Sequence, residues 1–548
     1  MTSLKNTLFI FIFISLSSLN ASGTQSFDEA YKNLNDKMLR EDIKVLSSDE
    51  FEGRAPATEG EIKTINYLRD RFKSMGLEPV SGNSYFQSVP LVEMEADRNM
   101  VLSISGKTYS YDSQFVAWTK RITEKVVVKD SDLVFVGYGI VAPEYQWNDY
   151  HGVDVKGKTV VMLVNDPGYA TQDEQLFNGN AMTYYGRWTY KYEEAARQGA
   201  AGVLLVHQTA PASYPWGVIK GFTGPQFDLV TKDNNMSRTP MEAWITLDVA
   251  EELFKRAGLN FREQEKAALS RDFKALAMDL KASIEINNKI KKSYSNNVAA
   301  VVKGSKSPDE YIIYTAHWDH MGVNPTLEGD QIFNGAIDNA SGTAALLTLA
   351  QSFMDLKVRP ERSIIFLAVT AEEKGLLGSA YYSQNPLVPT AKTIAGINMD
   401  ALKFAGPMSD MTVVGFGKSE LEEYARRAAL KQGRELVAEA NPEAGMFYRS
   451  DHFNFAKYGI PMLYARGGTT HRELGEKHVI TYTKNYYANN YHKPSDEYNP
   501  DWDFRGIVED LQVYFHIGHE LATSDAMPNW YKSAEFRITR DKDLKSGN

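Results

Sequence analysis

The chain has 548 residues, no cysteine, a formal net charge of −10 and a pI near 5.6. That acidic balance, with no basic run longer than Lys289–Lys292, argues against a nucleic-acid or anionic-membrane surface. Without thiols there are no disulfides, thiolate nucleophiles or Cys-zinc sites, so any metal must be held by nitrogen and oxygen. The length exceeds what one hydrophobic core organises and predicts two or three domains.

In chain order, residues 1–23 carry Lys5, an apolar run from Leu8 to Leu19, and then small residues, the order of a secretory signal. The run is about a dozen residues, against the roughly 20 needed to span a bilayer. No cysteine follows it to take a lipid. The expectation is an exported protein, periplasmic or secreted, with no stable membrane anchor.

Residues 24–130 open with apolar residues at helical spacing over 26–46. The turn SSDEFEGRAPATEGE follows, then a helix over 61–75 closed by Gly76, and short strands over 85–128. From 131 to 285 the texture is β-rich: LVFVGYGI, KGKTVVMLVND, the helix YKYEEAARQGA, then GVLLVHQ and a strand at 244–247, with charged helical sequence over 248–274. This stretch reads as an inserted module. From 286 to 530 strands and helices alternate, which predicts an α/β domain with a largely parallel sheet. The charged residues 531–548 read as a peripheral tail.

Three β-branched runs of the α/β segment end in metal-binding residue types. YIIYTA stops at His317, Trp318, Asp319 and His320; SIIFLAVTA stops at Glu372 and Glu373; TIAGINM stops at Asp400. Asp338 lies in NGAIDNASG, where a Gly/Asn-rich turn opens a helix. Parallel strands would deliver His317, Glu372, Glu373 and Asp400 at the carboxyl edge of one sheet, where open α/β sheets bind ligands. Several carboxylates buried together require cations to neutralise them. The nitrogen/oxygen set suits Zn²⁺, with Mn²⁺ or Co²⁺ as substitutes, and a bridging carboxylate suits two ions better than one. No G-x-S-x-G elbow occurs, which disfavours a serine hydrolase.

The chain resembles the M28 family of co-catalytic zinc peptidases, which includes aminopeptidases and glutamate carboxypeptidases. The resemblance rests on AHWDH (316–320), DNASG (338–342), AEEKGLLGS (371–379), NMD (398–400) and YHKPSDE (491–497), in family order. SSDEFEGRAPATEGE is similar to the start of that peptidase domain. The insert resembles a protease-associated (PA) domain through VGYGI, KGKTVVML and AARQGAAGVLLVHQ. The implied fold is a peptidase domain with a central, mostly parallel mixed sheet flanked by helices, plus an inserted β-rich protease-associated domain.

Carried over by residue, the resemblance implies two Zn²⁺ per chain. His317, Asp338 and Asp400 would hold one ion, Asp338, Glu373 and His492 the other, with Asp338 bridging. Glu372 would be the general base toward the attacking metal-bound water. Asp319 would accept the imidazole N–H of His317, and the Tyr491 hydroxyl would donate to the developing oxyanion. Ser450 and Asp451, on a loop resembling the family's substrate-side loop, would contact substrate. His471 and His478 read as solvated, and Trp318, His516 and His519 as packing.

The implied function is an exported dizinc aminopeptidase acting on peptides. The alternatives are a carboxypeptidase of the same family, with Arg449 as a candidate for the free substrate carboxylate, or a glutaminyl-cyclase-like zinc enzyme. No motif speaks to oligomeric state.

Overall fold

The apolar runs at 298–302, 311–316, 363–369 and 393–398 are neighbouring strands of one sheet. The structure is a computed structural model and describes residues 27–221 and 223–546. The expected signal segment, residues 1–23, lies outside the described residues. Those described form two compact units, one of residues 27–89, 295–439 and 450–546, the other of residues 90–294 and 440–449.

In the first unit the strands are β1 (Ser307–His317), β2 (Arg362–Val369), β3 (Thr393–Asn398), β4 (Asp410–Val413), β5 (Glu435–Ala438) and β6 (Met462–Gly467). β2, β1, β3 and β6 lie side by side in parallel, with Ala316 opposite Ala368 and Thr315 opposite Asn398. Residues 298–302 pair antiparallel outside β2, and β4 pairs antiparallel outside β6. Every residue of β2 and β3 is buried, which explains why these strands read as continuous apolar runs rather than alternations.

The helices of this unit include α1 (Asp36–Leu46), α2 (Glu59–Met75), α3 (Ser341–Met354), α4 (Gly475–Asn489) and α5 (Arg505–Ala522); α3 and α5 pack on the sheet, and α1 and α2 pack on α3. α3, apolar on all sides, is buried along nearly its whole length. Its Leu346, Leu347, Leu349 and Phe353 are fully buried, each stabilising by about 1.5–3 kcal/mol. Among the described residues no helix is long and apolar enough to cross a membrane.

Three expectations change. The helix expected over 26–46 is interrupted, because Asn35 caps a new helix by accepting the Lys37 N–H at 2.9 Å. α4 occupies a stretch read as loop, so His478 is helical. His471 is buried rather than solvated, its Nδ1 accepting the Glu473 and Leu474 N–H groups at 3.0 and 2.9 Å. The tail is not peripheral either: Phe536 and Arg540 are buried, and Arg540 Nη2 donates to Thr393 O at the head of β3.

The second unit is built on three parallel strands, Thr159–Leu163, Gly202–Val206 and Met241–Ile245. Alternate residues feed two cores: Val161, Leu163, Leu204 and Val206 on one face, Val160, Met162, Val203 and Leu205 on the other. This unit is wider than the insert expected over 131–285. Phe115–Trp118 pairs with Met241–Ile245, and Leu102–Ile104 pairs with residues 282–283, so short strands before residue 131 belong to the same sheet.

Candidate metal centre

β1, β2 and β3 point the same way, so their C-terminal ends deliver His317, the Glu372-Glu373 pair and Asp400 to one edge. The backbone turns sharply just there. Ala371, before the glutamates, has φ 52°; Ala401, after Asp400, has φ 49°; His492 has φ 54°. Left-handed conformations at non-glycine residues cost on the order of 1 kcal/mol or more and persist where neighbours hold them. At Ala371 the hold is visible: Leu377 N donates to Ala371 O and Gly378 N to Thr370 O, at 3.0 and 2.9 Å.

The turn carrying Asp338 is fixed from two sides. Asn339 Nδ2 donates to His317 O and Met399 O, at 3.3 and 3.1 Å, while its Oδ1 accepts Gly342 N and Ala401 N, at 2.9 and 3.1 Å. One amide thus joins the ends of β1 and β3 to the start of α3. A Cβ at Gly342 would stand 2.4 Å from Asn339 Oδ1, so only glycine fits that position of DNASG. On the other side, Asp496 accepts Ile337 N and Asp338 N.

The two oxygens of Asp338 face different groups. Oδ1 lies 3.4 Å from His317 Nε2, which is itself 3.5 Å from Asp400 Oδ1. Oδ2 lies 3.2 Å from His492 Nε2, which is also 3.2 Å from Glu373 Oε2. Donor atoms about 2.1 Å from one tetrahedral zinc stand about 3.4 Å apart. The all-nitrogen-and-oxygen donor set and these separations fit two zinc ions sharing Asp338. His317 Nε2 is buried without a hydrogen-bond partner, as a ligand nitrogen would be.

The electrostatics follow from the crowding. Burial alone would raise Asp338, but the adjacent imidazoles of His317, His492 and His320 hold its carboxyl well below the usual range. Glu373 is likewise raised by burial and by Asp338, yet His320 and His492 bring it down to about 2. Glu372 goes the other way. Burial, with the charges of Glu373, Asp400 and Asp451 overriding the pull of His317, holds it well above the carboxylate range. The two adjacent glutamates are thus shifted in opposite directions, Glu373 toward the carboxylate and Glu372 toward a raised proton affinity.

Several expected roles move. The His317 Nδ1–H reaches the carbonyl oxygen of Asp319 at 3.1 Å, whereas the Asp319 carboxylate lies 3.8 Å away. That carboxylate accepts Glu372 N and Glu373 N instead, at 3.0 and 3.3 Å, because the turn after β2 presents those N–H groups to it. Ser450 Oγ donates to Asp400 Oδ2 at 2.5 Å and accepts from Asn398 Nδ2 at 2.7 Å, so both capacities of its hydroxyl are engaged within the cluster. Asp451 is fully buried and accepts from Ser379 Oγ at 2.5 Å; burial pushes its carboxyl up to about 7. Its lack of exposure argues against the expected substrate contact. The Tyr491 ring stacks on His492, with centroids 3.9 Å apart. Trp318 packs as expected, fully buried, with Nε1 donating to Asn296 O. Arg449 belongs to the second unit, its guanidinium 5.9 Å from the Tyr214 ring centroid.

Four residues at the centre had been given no role from the sequence: His320, which was named only as a strand-end residue, Arg54, Asn339 and Asp496. His320 Nδ1 lies 2.7 Å from Glu373 Oε1, and His320, Asp338 and Glu373 themselves form a group close enough to hold an ion. Arg54, almost fully buried, donates to Trp318 O, Leu46 O, Asn334 O and Gly335 O at 2.6–2.9 Å. Each sat inside or beside a motif already singled out, but only the fold reveals what it touches.

Residues 297–516 match the profile of Peptidase family M28. The chain is 34% identical over 127 residues to "Aminopeptidase NAALADL1" of Mus musculus, covering 22% of this chain and 16% of that protein. It is 39% identical over 104 residues to a "Probable zinc metalloprotease" of Pyrenophora teres f. teres (strain 0-1), covering 19% of this chain and 22% of that one. The chain thus spans under a quarter of the length of these curated relatives. Its fold is similar to that of the "Aminopeptidase from Aneurinibacillus sp. strain AM-1", with TM-score 0.50, 20% identity, and coverage of 91% of this chain and 97% of the other.

Proposed function

Residues 297–516 form a Peptidase family M28 domain, and from that premise we propose that the protein is a dizinc aminopeptidase that removes N-terminal residues from peptides. The observation that carries the reading is the division of Asp338: one oxygen faces His317 and its partner Asp400, the other faces His492 and its partner Glu373. When bound, the zinc ions would polarise the scissile carbonyl and lower the pKa of the attacking water.

The chain's own residues then have distinct tasks. Glu372, with its raised proton affinity, takes the proton of the nucleophile and returns it to the leaving amine. Asp319 holds that glutamate's backbone in place through the Glu372 and Glu373 N–H groups. Ser450 orients Asp400. Tyr491, fixed against His492 by stacking, is the proposed donor to the developing oxyanion. The signal-like residues 1–23 support export, and we read the second unit as a protease-associated module on the strength of its sequence resemblance.

Metal analysis of the full chain should return two zinc ions, and hydrolysis of unblocked aminoacyl-anilides should cease with a chelator and return with zinc. Glu372→Gln should keep both ions and lose turnover. Activity confined to peptides with a free C-terminus would replace the aminopeptidase assignment with a carboxypeptidase one.

A further inference from the structure

Glu373 uses its two oxygens differently. Oε2 lies 3.2 Å from His492 Nε2, on the side of Asp338, whereas Oε1 lies 2.7 Å from His320 Nδ1. Only an N–H can face a carboxylate oxygen at that distance, so Nδ1 carries the proton. His320 has no freedom to do otherwise. It is fully buried, and its backbone N–H donates to Arg54 O at 3.3 Å. Its ring lies flat on the turn before Asp338: a Cβ at Gly335 would stand 2.5 Å from His320 Cγ and Cδ2. Gly335 also has φ 55°, so that position takes glycine for both backbone and space. The ring stands 5.8 Å from that of His492, inclined by 65°.

The two histidines of AHWDH are therefore turned in opposite senses. His317 anchors Nδ1 on a backbone carbonyl and aims Nε2 at the carboxylates. His320 aims Nδ1 at a carboxylate, and its Nε2 is buried without a hydrogen-bond partner. A ligand carboxylate with both oxygens free can swing between one-oxygen and two-oxygen binding. A hydrogen bond to one oxygen removes that choice and is the kind of outer contact that tunes metal affinity.

We propose that His320 is a positioning residue for Glu373: it holds Oε1 through Nδ1–H, turns Oε2 toward His492 and Asp338, and so builds the second metal position. The inference rests on the two-zinc reading. It differs from a ligand role through Nδ1, because a nitrogen that donates a proton to Oε1 has no lone pair for an ion; a ligand role through Nε2 is the alternative that His320→Asn, which lacks that nitrogen, separates from it.

The test compares two substitutions in the full chain. His320→Asn keeps an N–H donor near the Nδ1 position and removes the rest of the ring; His320→Phe keeps the ring packing and removes the donor. Zinc binding is followed by competition with a chromophoric chelator, and coordination by the visible absorption of the Co²⁺-substituted protein. The expected result is that His320→Asn binds two ions with an unshifted Co²⁺ spectrum, while His320→Phe binds the first ion normally and the second about 10- to 100-fold more weakly. The retained first site controls for folding. If His320→Phe binds both ions as the unaltered chain does, the donor is irrelevant and the proposal fails. If His320→Asn loses the second ion as His320→Phe does, the ring itself is needed, as ligand or as packing, and the proposal also fails. Fewer than two zinc ions in the unaltered chain would overturn the dizinc reading and this inference with it, an outcome separate from either variant result.

Discussion

The Asp496 carboxylate accepts the backbone N–H of Asp338 at 3.1 Å and that of Ile337 at 3.2 Å. Asp496 lies four residues after His492 and is buried. A second tie runs between the same segments, from Ala336 N to Asp496 O at 2.9 Å. Two of the three ligands expected for the second zinc, Asp338 and His492, come from distant parts of the chain, and this pairing brings their loops into register. Burial pushes the Asp496 carboxyl up to about 6, even though the two N–H donors pull it down. We predict that Asp496→Asn, which replaces one acceptor oxygen by a donor, weakens the second zinc about 10- to 100-fold and the first far less. Stepwise chelator competition reads both; equal weakening of the two sites would count against a local role.

Arg54 makes a separate prediction about stability. Its guanidinium links the end of α1, the segment after β1 and the turn before Asp338, all through carbonyl oxygens. Burial brings it down to about 10, against the pull of Asp496, Asp319, Asp338 and Glu373, so it also supplies positive charge behind the acidic cluster. Arg54→Met leaves four buried carbonyls without that donor and should destabilise the chain by about 3–5 kcal/mol. Urea unfolding with and without zinc measures it. Zinc should recover part of the loss, because an ion binding only the folded state stabilises it. A loss under about 1 kcal/mol would mean the carbonyls find other donors.

Ser450 separates orientation of a ligand from contact with substrate. Its hydroxyl is engaged by Asp400 and Asn398. Ser450→Ala should lower kcat about 10-fold through a loosened Asp400, with KM nearly unchanged on aminoacyl-anilides. A raised KM at constant kcat would restore the substrate-side role that the loop's sequence suggested.

The residues gathered at this edge were more legible in the sequence than the connections that hold them there. His317, Glu372, Glu373 and Asp400 were legible because each follows an uninterrupted β-branched run, and parallel strands bring such ends together. Asp338 was singled out by the Gly/Asn-rich turn that opens a helix, and His492 by resemblance. What the pattern could not carry was hydrogen bonding that depends on register and loop path. Asp319 was assigned to imidazole from its spacing, but the turn after β2 offers it two backbone N–H groups first. Asn339 looked like turn chemistry and proved to be the joint between β1, β3 and α3. Arg54 gave no signal of burial, because arginine in a polar turn normally reads as solvated. The same limit applied to fold boundaries. Phe115–Trp118 pairs with Met241–Ile245, a partnership of distant segments that no local texture announces.

His519 provides a pH prediction far from the metal centre. Its ring centroid lies 4.5 Å from that of Phe27 and 6.4 Å from that of Phe515 on α5. Burial, with the nearby His516, brings the imidazole down to about 4 from an ordinary 6.5. The folded state therefore keeps His519 neutral where the unfolded chain already binds a proton. Between those two values the unfolded state holds more protons, so stability rises with pH across the window. The contribution is complete above 6.5 and disappears as pH falls toward 4, with a full span of about 3 kcal/mol. His519→Phe keeps an aromatic ring against Phe27 and cannot titrate. We predict that urea unfolding of the unaltered chain loses about 2 kcal/mol more than His519→Phe between pH 7.5 and pH 5. Parallel losses in the two proteins would show that His519 is protonated in the folded state, or that other groups govern the acid limb.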